Sequence, residues 1–301
     1  MFKNYFKVAF RNLARHKLFS FINIFGLALS MSVCLMVLID IKDQISYDRF
    51  HPHPERTYRI ITQLTSREGR EFRIATTPLP LAANLSKDYG MLEKSVRIYP
   101  IGSKPATSVT KELTINAAFT DPDFFKVFGY SLKSGNAASA LTNPNSIVLN
   151  AETAAKYFGD VDPVGKVISI TQFGEFQVTG VMAKPKGKSH IDFECLVSMA
   201  SLPALERSGK LTPISELWND GRSAYTYVTL KPGRSGKQLK QAVSQISSLL
   251  MKNTTVVGKE NFAFDVQRLD DIILGEELGH NLGNTGSREK VLFTIVIGFI
   301  I

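Results

Sequence analysis

The sequence predicts a membrane-anchored α+β protein, and three observations carry that prediction. Leu18 to Ile39 is an uncharged run of 22 residues. Strand-helix-strand patterns stand near both ends of the remaining chain. A long segment with strands and helices of its own separates them, as in a split β-α-β sandwich with a mixed α/β module inserted between its halves. With 301 residues, 44% of them hydrophobic, the chain is long enough to bury one large core or two smaller ones.

Residues 1–17 carry Lys3, Lys7, Arg11, Arg15 and Lys17 and no acid. The first four recur every fourth residue, so they form one drifting stripe on a helix, with Phe2, Phe6 and Phe10 on a second stripe about 100° away. That pattern predicts a cytoplasmic amphipathic helix lying under a membrane. Two roles stay open for its cations: contact with lipid headgroups, or docking of a cytoplasmic partner.

Residues 18–43 are expected to be the first transmembrane helix. "LFSFINIFGLALSMSVCLMVLI" reaches about 33 Å at about 1.5 Å per residue, enough for a hydrocarbon core of about 30 Å. The run exceeds the apolar stretch of a signal peptide, and no small-residue cleavage site follows it. Gly26, Ala28 and Ser30 are small and would let another helix approach closely. The cations before the run outnumber Lys42 and Arg49 after it, where Asp40, Asp43 and Asp48 also stand. The bias toward positive charge on the cytoplasmic side therefore puts residue 1 inside and residue 44 onward outside.

Residues 44–288 read as the α+β domain. "RTYRIITQLT" and "EKSVRIYP" are strands, with a short helix at "PLPLAANLSKDYG" between them. "AYTYVTL" and "FAFDVQRL" flank a helix whose Leu239, Val243, Ile246, Leu249 and Leu250 fall at helical spacing. The insert, about 102–185, holds "ELTINAAF", "DPDFFKVFGY" and "SIVLNAETAAKYFG", with Asn150 as N-cap and Gly159 as stop. It closes with a hairpin around Gly174. Residues 289–301 include "VLFTIVIGFII", which is expected to be the truncated start of a second transmembrane helix.

Composition narrows the function. The net charge of +9 comes with no basic run interleaved with aromatics, which argues against nucleic acid. Cys34 and Cys195 make no disulfide framework. No zincin, nucleophile-elbow, phosphate-loop or dinucleotide fingerprint occurs, so no catalytic, cofactor or metal residue is assigned. "HPHPER" offers His51 and His53 beside Asp48 and Glu55, but its prolines and the want of a third nearby histidine favour a polar turn over a metal site. His190 and Asp192 would share one face of a strand, without a nucleophile to serve; a structural histidine is expected. Trp218 is read as core.

Longer strings go further. "FINIFGLALSMSVCLMVLIDIKDQISYDRFHPHPERTYRI" resembles the opening of the MacB/FtsX-type ABC transporter permeases. "DPDFFKVFGYSLKSGNAASALTNPNSIVLNAETAAKYFGDVDPVGKVISI", "VTGVMAKPKGKSHIDFECLVSM" and "YTYVTLKPG" resemble the periplasmic core domain of that family. The resemblance covers essentially the whole chain. It implies a Porter-like subdomain in two halves with a Sabre-like subdomain inserted, in a protein of the inner membrane with its main domain periplasmic. It implies a permease subunit, not itself catalytic, in which ATP hydrolysis on a cytoplasmic ABC ATPase moves the outer domain for efflux or mechanotransmission. A permease dimer, membrane lipid and a periplasmic or outer-membrane protein are the expected partners, with no cofactor. Ser30 departs from a glycine common in such sequences, which weakens the case for close helix packing there. The runner-up is a membrane-anchored sensor domain of a signalling receptor, which has the same layout of helix, outer domain and second helix.

Overall fold

The computed structural model describes residues 2–66, 68–108, 111–218, 224–252 and 261–283. The expected second membrane helix at 289–301 lies outside the described residues. The chain divides into two compact units, residues 1–46 with 286–301, and residues 47–285.

In the first unit, α1 spans Phe2–Arg15 and α2 spans Lys17–Ser46. A one-residue break at His16 separates them. Leu18, Phe21, Ile24, Leu35 and Met36 are all exposed on α2, although they lie on different faces of it. A helix apolar all round is stable only in an apolar surrounding, and α2 is long and apolar enough to cross a membrane. Its Ser32 turns inward on the backbone, with Oγ donating to the Ala28 carbonyl at 2.8 Å.

The second unit is built on one mixed sheet. β1 (Thr57–Thr65), α3 (Leu81–Asp88) and β3 (Leu92–Thr107) form the first strand-helix-strand pattern. β10 (Tyr225–Leu230), α7 (Gly236–Lys252) and β11 (Asn261–Arg268) form the other. The two interleave, because β1 pairs antiparallel with both β10 and β11, and β10 pairs with β3. β2 (Glu71–Ile74) adds to β1. Alternation along these strands sends Ile60, Val228 and Phe264 to one face. There they meet Leu81 and Leu85 of α3 and Leu239, Val243 and Ile246 of α7, all buried.

β3 then continues past Gly102, with a shift of register between Pro100 and Gly102, into a long hairpin with β4 (Glu112–Thr120), and this carries the sheet into the insert. There the order continues through β9 (Cys195–Ser198), β6 (Ser146–Asn150), β8 (Gly174–Met182) and β5 (Leu132–Gly135). β7 (Val167–Ile170) forms the expected hairpin with β8. β9 lies beyond residue 185 in sequence yet sits between β4 and β6, so insert and host share one continuous sheet. Continuity pairs backbone groups that two separate modules would leave at open edges. α5 (Ala151–Phe158) starts as expected, with the Asn150 side chain accepting from the Thr153 N–H at 2.7 Å.

A further core lies where the halves meet. α4 (Phe124–Phe128) supplies Phe124, Phe125 and Phe128, which pack with Tyr130, Ile191, Phe193 and Tyr227. Phe128 and Tyr227 meet edge to face, with ring centroids 5.1 Å apart. This aromatic core closes over the polar residues described next.

Candidate functional site

The segment joining α2 to β1 folds into the domain rather than over its surface. Asp48 adopts φ 58, a left-handed conformation that aspartate tolerates better than most residues. Its N–H donates to the Lys188 carbonyl at 2.9 Å. Pro52 presses against Gly129, where φ is 68 and any Cβ would stand 2.9 Å from the proline ring. Only glycine satisfies both demands there. Asp48 and His51 are thereby buried with His190, which comes from the loop before β9.

The Asp48 carboxylate is the hub. Ser189 Oγ donates to its Oδ1 at 2.6 Å, and the His190 backbone N–H to the same oxygen at 3.2 Å. His190 Nδ1 lies 2.7 Å from Oδ2. His51 Nε2 lies 3.0 Å from Oδ1, while its Nδ1 faces the Phe128 carbonyl at 2.7 Å. On its far side His190 meets the Tyr227 hydroxyl, Nε2 to Oη 2.7 Å. These contacts assign the tautomer: His190 donates through Nδ1 to the carboxylate and accepts at Nε2 from the phenol. Burial would raise the Asp48 carboxyl, but His190 and the donors from His190, His51 and Ser189 outweigh it and hold it well below the usual carboxylate range. Burial pushes the His190 imidazole down against the pull of Asp48, so the pair rests as carboxylate and neutral imidazole. Burial likewise raises the Tyr227 phenol, against the nearby Arg59 charge, and keeps it protonated.

Arg59 extends the network to the other end of the domain. It is fully buried on β1. Its Nη2 donates to Gln267 Oε1 at 2.6 Å and to Asn281 Oδ1 at 3.1 Å. Its Nε and Nη1 have no partner with hydrogen-bond geometry among the described residues. Burial works against its charge, and Tyr227, Tyr225 and Asp48 offset that electrostatically. Tyr225 Oη donates to the His280 carbonyl at 2.8 Å. Gly283, with φ 66, approaches His190 so closely that a Cβ would lie 2.2 Å from the His190 carbonyl oxygen. One buried cluster therefore holds residues 47–51, which follow α2, and residues 280–283 at the far end of the domain.

The arrangement is not a nucleophilic triad. Ser189 donates directly to the carboxylate, and His51 Nε2, 3.4 Å from the hydroxyl, also faces that carboxylate rather than standing between the two as a base. All four ring nitrogens of His51 and His190 face hydrogen-bond partners. Among the described residues no group of three His, Cys, Asp or Glu side chains is placed to hold a metal ion.

These residues stand in separate motifs of the sequence. His51 was expected in a polar turn and is instead core, at 3% exposure, while His53 is on the surface with Glu55 3.9 Å away. His190 and Asp192 do not share a strand face. Residues 189–193 are irregular, His190 points inward and Asp192 is exposed. His190 is a satisfied structural histidine, and Trp218 is half-buried against the α7 core. No local pattern in the sequence marks Tyr227 or Arg59. Lys7, Arg11 and Arg15 are exposed on α1, and Lys3 belongs to the same helix. Gly26 has open space around it, Ala28 is exposed and Ser30 half-exposed.

No curated protein is similar enough to count as a relative. Among solved structures, a domain from a Porphyromonas gingivalis protein provisionally assigned as a permease is similar, with TM-score 0.61 and 21% identity over 72% of this chain and 91% of that one. The periplasmic region of MacB from Actinobacillus actinomycetemcomitans aligns at TM-score 0.48 and 16% identity, covering 71% and 89%. The extracellular domain of the noncanonic ABC-type transporter YknZ from Gram-positive bacteria aligns at 0.47 and 16%, covering 70% and 99%. The family model of the MacB-like periplasmic core domain matches residues 20–246, from inside α2 to the last turns of α7, and the chain belongs to that family.

Proposed function

We propose that this protein is a permease subunit of an ABC transporter, held in the inner membrane by α2 with α1 in the cytoplasm and the α+β domain outside. The observation that carries the reading is the family match over residues 20–246, which joins the membrane helix to the domain. The excess of cations before α2 supports the orientation. In this reading a cytoplasmic ABC ATPase hydrolyses ATP, and the permease, without catalytic chemistry of its own, passes the resulting motion to the outer domain. Lys3, Lys7, Arg11 and Arg15 meet lipid headgroups and the ATPase. Gly26, Ala28 and Ser30 offer a narrow face to another helix of a permease dimer. The sheet shared by Porter-like and Sabre-like parts supports movement of the domain as a unit.

Cysteine labelling tests the orientation. On a Cys34→Ser background, a membrane-impermeant maleimide applied outside is expected to label Ser103→Cys and spare Arg11→Cys; the opposite pattern overturns the proposal. A photo-crosslinker at Arg11 should then capture a polypeptide with a phosphate-binding ATPase loop. Capture of a signalling kinase at that position would favour the sensor reading.

A further inference from the structure

The chain of contacts Asp48–His190–Tyr227–Arg59 runs carboxylate, imidazole, phenol, guanidinium, and every member is buried. It spans the entry and exit of the α+β domain. Asp48 and His51 sit two and five residues after the end of α2, while Asn281, His280 and Gly283 lie just before residue 284. The middle of the chain is His190, and its geometry leaves no room for a second proton. Nδ1 already donates to Asp48, and Nε2 accepts from Tyr227. A proton on Nε2 would set two donors against each other unless the phenol turned its hydrogen away, and would place a cation beside the buried Arg59.

We propose that this cluster is a latch that closes both ends of the domain together, and that acid releases it through His190. The groups facing His190 are Asp48 and His51 from the segment after α2, Ser189 beside it, Tyr227 from β10 and Arg59 from β1. Tyr130 and the exposed Asp192 flank the Asp48 side, and Tyr225 flanks Arg59. Of the charges on this list, Arg59 and a proton on His51 oppose a proton on His190, and Asp48 favours it. Burial adds to the opposition and wins, in line with the downward shift at His190. Once the latch opens, the imidazole reaches water and takes up a proton below about pH 6.5. Acid therefore favours the open form. The inference concerns the domain itself and goes beyond the permease reading, on which it does not depend.

Hydrogen exchange on the full chain in lipid nanodiscs tests it, with protection factors corrected for the intrinsic pH dependence of exchange. Between pH 7.5 and 5.5 one histidine that titrates only in the open form raises the opening equilibrium about ten-fold. The expected result is a parallel ten-fold loss of protection in segments 47–54, 187–193 and 275–283, with α5 unchanged. In His190→Gln the acid response should vanish. Independent pH profiles for the two ends, or a flat profile in the wild-type chain, would overturn the latch. An acid response that persists in His190→Gln would overturn the role of His190. If that variant does not fold, the wild-type profile and the flat control at α5 decide the question alone.

Discussion

Replacing Asp48 by alanine isolates the hub of the polar cluster, and the structure supplies the cost. The carboxylate has no exposed surface. Its loss leaves Ser189 Oγ, His190 Nδ1 and the His190 N–H without their acceptor, and His51 Nε2 without its neighbour. A buried donor left unpaired costs about 1–3 kcal/mol, and removing one partner of a buried charged set costs about 3–5 kcal/mol. These figures overlap rather than add, because neighbours relax and water enters the space, so we expect about 4 kcal/mol. That is a large part of a typical stability of about 5–15 kcal/mol. Asp48→Asn keeps one acceptor oxygen but turns an amide donor toward other donors, and should lose about 2 kcal/mol. The assay is urea unfolding of the full chain in detergent, followed by far-ultraviolet circular dichroism. With a slope of about 3 kcal/mol per molar, the alanine variant should unfold about 1.3 M earlier. Asp192→Asn, on the exposed side of the same loop, is the control and should shift little. An Asp48→Ala midpoint within about 0.2 M of wild type would refute the claim that this carboxylate organises the cluster.

Three further outcomes follow from the same geometry. Asp48 and His190 both hold protons less tightly folded than unfolded, so stability should rise with pH. The His190 contribution is complete above about pH 6.5 and declines below it, and that of Asp48 is complete above about pH 3.8 and declines on further acidification; urea midpoints from about pH 2 to 8 read both limbs. Gly283→Ala should cost at least about 2 kcal/mol, since a left-handed backbone and a collision with the His190 carbonyl combine, whereas Gly209→Ala, left-handed but in open space, should cost only about 1 kcal/mol. Phe128→Ala removes a ring that packs on Phe124, His51 and Tyr227 and should cost about 3–5 kcal/mol.

Much of this domain was legible because its signals are local. Alternation marks β1 and β11, helical spacing marks α7, and the Asn150 cap with Gly159 brackets α5, each within a window of a few residues. The interleaving of β1 between β10 and β11 was not legible, since pairing across more than 160 residues leaves no periodicity in either strand. The limit of the insert was blurred for the same reason: β9 reads as a short apolar run, and only its pairing with β4 and β6 shows where it belongs. The polar cluster failed at a different level. Asp48 and His51 are near in sequence, and His190 stands in a motif of its own, but a separation of 142 positions between Asp48 and His190 hides their contact. Arg59 lies in an alternating strand, where its neighbours in sequence promise an ordinary position, and a fully buried arginine is the rarest outcome composition would suggest.

The burial of Arg59 also bears on why the cluster is polar at all. An apolar plug of equal volume would often be as stable as a buried charged set, so stability alone does not explain it. Register does. Hydrophobic contacts tolerate sliding, whereas a carboxylate shared between two serine- and histidine-borne donors and two imidazole rings fixes the segment after α2 to within a hydrogen-bond length. Asp48 and Arg59 carry opposite charges at the two ends of the chain of contacts, which tempers the cost of burying either. In the permease reading proposed above, the connection between the membrane helix and the outer sheet passes on a small displacement only if it does not slip. Asp48, held in a left-handed conformation and bonded on every side, sits two residues from the end of α2, where slippage would otherwise begin.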